Sequence, residues 1–273
     1  MSAEQEALST PGWRAHLQLT FARPAQRTCL IERQHRGPLL VQRPFYPEGE
    51  VCHAYIVHPP GGIVGGDELQ LDVDARDAAH VLLTTPSAAK FYRSDGRTAR
   101  QRQTLRADEA TLEWLPQESI FYPQARVRST TRIELGAHAR FIGWEIACLG
   151  LPARHQPFDA GELRLTLELW RNRAPLLIDR LRIDAGSHRW GLGGHEAIGT
   201  LLACPATRAM ADAVRCLQPS GVELGVTLVD QALVCRALAA QAEPIKRAFV
   251  ESWQRLRPPL LDRPAVLPRI WAT

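Results

Sequence analysis

The chain has 273 residues, enough for one large domain or two modest ones around a sizeable core. Apolar residues make up 45% and charged residues 23%, the balance of a folded soluble protein rather than a disordered one. A net charge of +4, from 33 basic and 29 acidic side chains, is too small an excess to imply nucleic acid, and no stretch approaches the roughly 18 apolar residues of a membrane span.

Residues 1–12 are polar and lack the basic start and apolar run of a signal peptide, so the expectation is a flexible N-terminus on a cytoplasmic protein, ahead of a single domain over 13–273. Period-two alternation then begins. Ala15, Leu17, Leu19 and Phe21 alternate with polar neighbours, which predicts a half-buried strand. The segment from His58 to Asp67, His-Pro-Pro-Gly-Gly-Ile-Val-Gly-Gly-Asp, holds two prolines and four glycines in ten residues. No helix or long strand accommodates that, so a fixed loop with unusual backbone angles is predicted. A strand through Leu69, Leu71 and Val73 follows, then a second unusual block from Thr84 to Ser94. Val127 to Leu135 alternates, as does the run Leu163, Leu165, Leu167 and Leu169. Strands recurring roughly every 10 to 15 residues predict an all-β sandwich, barrel or β-helix-like stack.

Helical spacing appears late, at Met210, Val214 and Leu217. Pro244 is placed to open a second helix with Ile245, Phe249, Trp253 and Leu256 as its stripe, and Arg257-Pro258-Pro259 to stop it. Val222 to Leu228 and Leu233 to Leu238 alternate again. Cys29, Cys52, Cys148, Cys204, Cys216 and Cys235 are scattered without a CxxC pair and are expected to be free thiols.

The glycine cluster raises nucleotide binding first. Gly65-Gly66 is followed by Asp67 and no lysine, so the P-loop pattern is absent, and an acid there repels phosphate. No G-x-S-x-G elbow is present. Cys52, His53 and His58 lie within seven residues and are suitable nickel or zinc ligands, yet no fixed-site spacing accompanies them. The plainer reading is hydrogen-bonded histidines beside a buried thiol.

Three acids stand on apolar faces. Glu145 interrupts Phe141 to Cys148, Asp179 shares a face with Leu177, Leu181 and Ile183, and Glu113 sits between Leu112 and Trp114. Such acids are unfavourable unless paired, hydrated or metal-bound. The plain reading is burial against an arginine, Arg93 and Arg180 among the candidates; the functional one is a hydrated, acid-lined passage for a cation.

These residues resemble the urease accessory protein UreD family, also called UreH. The resemblance rests on His58 to Asp67, Thr84-Thr85-Pro86, Lys90 to Ser94 and Leu112 to Glu118. It extends through Gly143-Trp144-Glu145 with Cys148-Leu149-Gly150, Pro175-Leu176-Leu177 with Arg180-Leu181, and Leu256-Arg257-Pro258 with Pro268 to Trp271. It runs from about Trp13 to the C-terminus. Ser87 stands where the family usually has glycine, Asp179 where it usually has glutamate, and Leu151 where arginine is frequent. The resemblance implies a mainly β fold of two stacked sheets, β-helix-like, with a few helices toward the C-terminus. It also implies a non-enzymatic role: binding the urease apoenzyme and UreF, reaching the GTPase UreG through UreF, with a dimer of heterocomplexes as one assembly. No cofactor is held tightly; nickel is in transit through an internal water-filled tunnel.

A transfer path holds its ion weakly, through oxygen and water, where a Cys/His cage traps it. The expected path residues are Asp67, Glu145 and Asp179, with Glu113 and Glu118, and with Cys52, His53 and His58 behind them. Phe249, Trp253, Leu256 and Trp271 are either a partner surface or a cover for the sheet core. The competing functions are a structural adaptor through which no nickel passes, and a metal-assisted hydrolase using Cys52, His53, His58 and Asp67.

Overall fold

The alternating segments fold as strands, seen in a computed structural model that describes residues 12–184 and 191–272. Apart from Gly12, the expected N-terminal segment 1–12 lies outside the described residues. The chain opens with β1 (Arg14–Ala22), β2 (Cys29–Arg36), β3 (Leu40–Val41), β4 (Cys52–Val57) and β5 (Glu68–Ala75). It continues with β6 (His80–Thr84), β7 (Ala89–Phe91), β8 (Ala99–Ala107), β9 (Thr111–Trp114) and β10 (Ser119–Phe121). Then come β11 (Arg126–Leu135), β12 (Arg140–Leu149), β13 (Glu162–Arg171), β14 (Ala174–Asp184) and β15 (Ala197–Cys204). Helix α1 (Arg208–Arg215), the hairpin β16 (Glu223–Val229) and β17 (Ala232–Ala239), and helix α2 (Ala242–Leu261) complete the elements used below.

The strands form two sheets. The first runs β14-β13-β11-β8-β5-β1-β2; the second runs β16-β17-β15-β12-β9-β6-β4-β3, with β10 and β7 joined beside β12. The chain winds between them. β5, β8, β11 and β13 add in turn to the first sheet, each parallel to its predecessor from β1 onward. β4, β6, β9 and β12 do the same in the second. Parallel neighbours need a crossover, and here a strand of the opposite sheet supplies it instead of a helix. The result is a β-helix-like stack of two sheets, mainly β with helices late in the chain. Antiparallel strands finish it: β2 on β1, β14 on β13, and β15, β17 and β16 beyond β12.

Two cores follow. Between the sheets, Leu17, Leu105, Ile133 and Leu169 meet Val81, Leu83, Leu112 and Phe141. The second sheet also buries its far face, where Leu82, Ile142, Trp144 and Ile146 pack under Ile245, Phe249, Trp253 and Leu256. A strand covered on both sides is apolar on both faces, which accounts for Phe141 to Cys148.

Two expectations about α2 are corrected. The helix starts at Ala242 with Pro244 in its first turn, as expected, but runs through Pro258 and Pro259 to Leu261, where Asp262 turns it off at φ 57°. Buried Leu260 and Leu261, with Arg257 anchored below, hold the last turn despite the prolines. Phe249, Trp253 and Leu256 are fully buried against the second sheet, so they are core and not a partner surface. Trp271 packs on the same core and its Nε1–H donates to Thr84 Oγ1 at 3.0 Å.

Candidate functional site

The loop from His58 to Asp67 is fixed by its own carboxylate. Asp67 Oδ1 accepts the Trp13 N–H at 2.8 Å and Oδ2 accepts the Val64 N–H at 2.9 Å. Ile63 bridges to Phe91, and the Tyr92 hydroxyl donates to the Gly61 carbonyl at 3.0 Å. Gly62 is required by close approach, because a Cβ there would lie 2.3 Å from the Tyr92 ring. Gly66 is required by its φ of +92°.

This clamped loop frames one mouth of a cavity of about 330 Å³ between the two sheets. His58 to Ile63 and Thr85 to Lys90 surround that mouth, where Pro59, Gly61 and Ser87 are exposed. The lining also includes Gln103, Glu145 and Thr200, and half-buried Asp179 beside exposed Arg236. Burial lowers the His58 pKa, against the opposing pull of Asp67, which favours the neutral imidazole able to take a metal.

Strand register explains why these polar groups meet. On the second sheet Glu145 pairs with Thr200, and Thr200 with Arg236. On the first, Gln103 pairs with Thr131, Thr131 with Leu167, and Leu167 with Asp179. At about 4.8 Å per strand, Glu145 and Arg236 are roughly 10 Å apart along one row, and Thr131 and Asp179 roughly 10 Å apart along the other. The rows face each other. Glu145 Oε1 accepts a short hydrogen bond from the Thr131 hydroxyl and a longer one, at 3.5 Å, from Gln103 Nε2. Arg236 Nη2 lies 2.8 Å from Asp179 Oδ2. Glu145 is deep in the protein yet keeps accessible surface, because that surface is cavity. Burial pushes its carboxyl up to about 7, with the Thr131 hydroxyl pulling the other way.

The other named residues go elsewhere. Glu113 on β9 points away from the cavity, under α2. It accepts from Trp253 Nε1 at 2.7 Å, from Arg257 at 3.0 Å and from His80 at 2.7 Å. Burial alone would raise its carboxyl, but His80 and Arg257 outweigh it and hold it at about 2. Glu118 does not line the cavity, although Gln117 and Ser119 on either side do. Cys52 is buried in β4, with burial raising its thiol to about 12. His53 Nε2 contacts Glu48 at 2.7 Å. The hydrolase set of Cys52, His53, His58 and Asp67 is thus divided among separate partners. Among the described residues no three His, Cys, Asp or Glu side chains could hold a metal ion together.

Sequence reasoning missed Thr131, Gln103, Thr200 and Arg236. Arg236 had a signal, since it interrupts the apolar run from Leu233 to Leu238. Thr131 and Gln103 had a weaker one, since period two puts them on the faces of Val127, Ile133 and Leu135 and of Leu105 and Ala107, but an uncharged polar residue there does not announce a cavity.

Residues 14–272 match the family model described as UreD urease accessory protein. Over 266 residues the chain is 46% identical to "Urease accessory protein UreD" of Citrobacter koseri, covering 97% of this chain and 93% of that one. The protein of that name from Klebsiella aerogenes is 46% identical over 264 residues, 96% and 97% of the two chains. One from Pseudomonas putida is 47% identical over 264 residues, 96% and 95% of the two.

Proposed function

From the premise that this chain belongs to the UreD family of urease accessory proteins, we propose that it assists urease maturation without catalysis, by conducting nickel between its two sheets. Nickel enters as cargo and not as a resident cofactor. The partners are the urease apoenzyme and UreF, with UreG reached through UreF, in the cytoplasm and in an assembly that includes a dimer of heterocomplexes. Among the described residues no helix is long and apolar enough to cross a membrane.

One observation carries this reading: Glu145 and Asp179, acids from different sheets, line one cavity between those sheets. Oxygen ligands spaced along a hydrated passage hold a divalent ion loosely and hand it on. His58 adds a neutral imidazole at the loop mouth. A Glu145→Ala, Asp179→Ala double variant should still co-purify with urease subunits and UreF and yet activate urease poorly at limiting nickel. Normal activation by that variant rejects nickel passage.

The structural adaptor is the second reading, favoured by the Asp179–Arg236 ion pair, which satisfies one of the two acids without any metal. It predicts that the same double variant activates normally once assembled.

A further inference from the structure

We propose that Arg236 is the gate of this passage: its guanidinium occupies Asp179 in the resting protein and must move off before a divalent cation takes that carboxylate. The inference rests on the nickel-passage reading above.

Among the described residues, Arg236–Asp179 is the one ion pair that joins a strand of one sheet to a strand of the other. Its position is lateral. Asp179 lies on β14, the edge of the first sheet, and Arg236 on β17, next to the edge strand of the second. The pair therefore bridges the two sheets on the cavity lining, where Arg236 is exposed, at the far ends of the two polar rows that hold Glu145 and Thr131.

The pair is built to open. The Arg236 side chain is 44% exposed and Asp179 22%, so water screens the attraction and can solvate a released guanidinium. Arg257 is the contrast: it is fully buried between Glu113 and Glu48 and has nowhere to go. A fixed positive charge on the lining repels an entering divalent cation, so Arg236 obstructs passage unless it swings aside.

The test uses the full chain with Arg236→Gln, screened for an unchanged melting temperature. Ni²⁺ alone is the probe, measured by equilibrium dialysis, and urease activation is followed across a nickel titration. The gate predicts Ni²⁺ binding about tenfold tighter in R236Q, reversed when Asp179→Asn is added, and half-maximal activation at several-fold lower nickel. Arg236→Lys keeps the charge with a shorter reach, and should fall between wild type and R236Q; it serves alone if R236Q does not fold. Wild-type Ni²⁺ affinity and wild-type nickel demand in the folded variant overturn the gate. The two readings fail separately. Normal activation by the Glu145 and Asp179 double variant removes the passage itself. Impaired activation there, with Arg236 variants indistinguishable from wild type, leaves the passage and removes the gate.

Discussion

Arg257 and Glu113, 144 positions apart in the chain, meet inside the protein with Nη2 3.0 Å from Oε1 and Nε 3.0 Å from Oε2. The same guanidinium reaches Glu48 at 2.7 and 2.9 Å. His80 and His53 contact the outer sides of the two carboxylates. This network ties α2 to β9 and to the chain before β4. A buried ion pair contributes little net stability when intact, but removing one partner strands the other charge in a dry interior.

Arg257→Met should therefore lower stability by about 3–5 kcal/mol, measured by urea denaturation at pH 7. Truncation before Arg257 should yield an unfolded or aggregating product for the same reason, rather than a folded chain that has only lost a partner. A truncant that melts with the intact protein would contradict this.

Acid should unlock the same network. The Glu113 carboxyl titrates at about 2 when folded against a usual 4.5. A depressed carboxyl contributes stability that is present above 4.5 and is lost as pH falls from there toward 2. Glu113→Gln should flatten that part of the stability profile, as followed by melting temperature between pH 5 and pH 3.

Glu145 has the opposite sign. Its carboxyl titrates at about 7 when folded, so the folded state favours the proton, and stability declines as pH rises from 4.5 through 7. Glu145→Gln removes this slope. The variant should exceed the wild type at pH 8 by no more than about 3 kcal/mol, with the gap closing toward pH 4.5. The proposed nickel passage uses the ionised carboxylate, so on that reading wild-type activation at limiting nickel should rise with pH through about 7. Aliquots assayed at one common pH measure this, and E145Q should lack the rise.

Asp67 separates loop order from ion passage. Asp67→Ala leaves the Trp13 and Val64 N–H groups without their acceptor and should cost about 1–3 kcal/mol, read by thermal melting. At a temperature where the variant stays folded, its isolated chain should bind Ni²⁺ as the wild type does. A lost Ni²⁺ site in D67A would make Asp67 a ligand.

Lys246 is buried with Nζ 3.1 Å from the Pro116 carbonyl and 4.3 Å from the Trp271 ring centre. Burial lowers its amine to about 8. The folded state thus holds this proton less tightly than the unfolded chain does, and stability rises between about 8 and 10.5. Lys246→Met should lack that rise in denaturation curves at pH 8 and pH 10.

Much of the scaffold was legible in the residues. Leu17, Leu19 and Phe21, or Leu163 to Leu169, alternate because one face of a sheet is buried, and that pattern is written locally. The glycines at 62 and 66 announced a loop that no side chain would tolerate. The stripe Phe249, Trp253 and Leu256 announced a helix, but not what covers it. A partner and the second sheet demand the same side chains, and only packing distinguishes them.

The amino-acid order alone determined the strands, the fixed loop ending in Asp67 and the family, because each depends on neighbours in sequence. Only the tertiary structure decided among the misplaced acids. Glu113 faced α2 and met Arg257, Asp179 met Arg236 across the sheets, and Glu145 was left on the cavity with a hydroxyl and an amide. Charge pairing depends on which strands become neighbours and which sheets face each other, and those separations in space bear no fixed relation to separation along the chain.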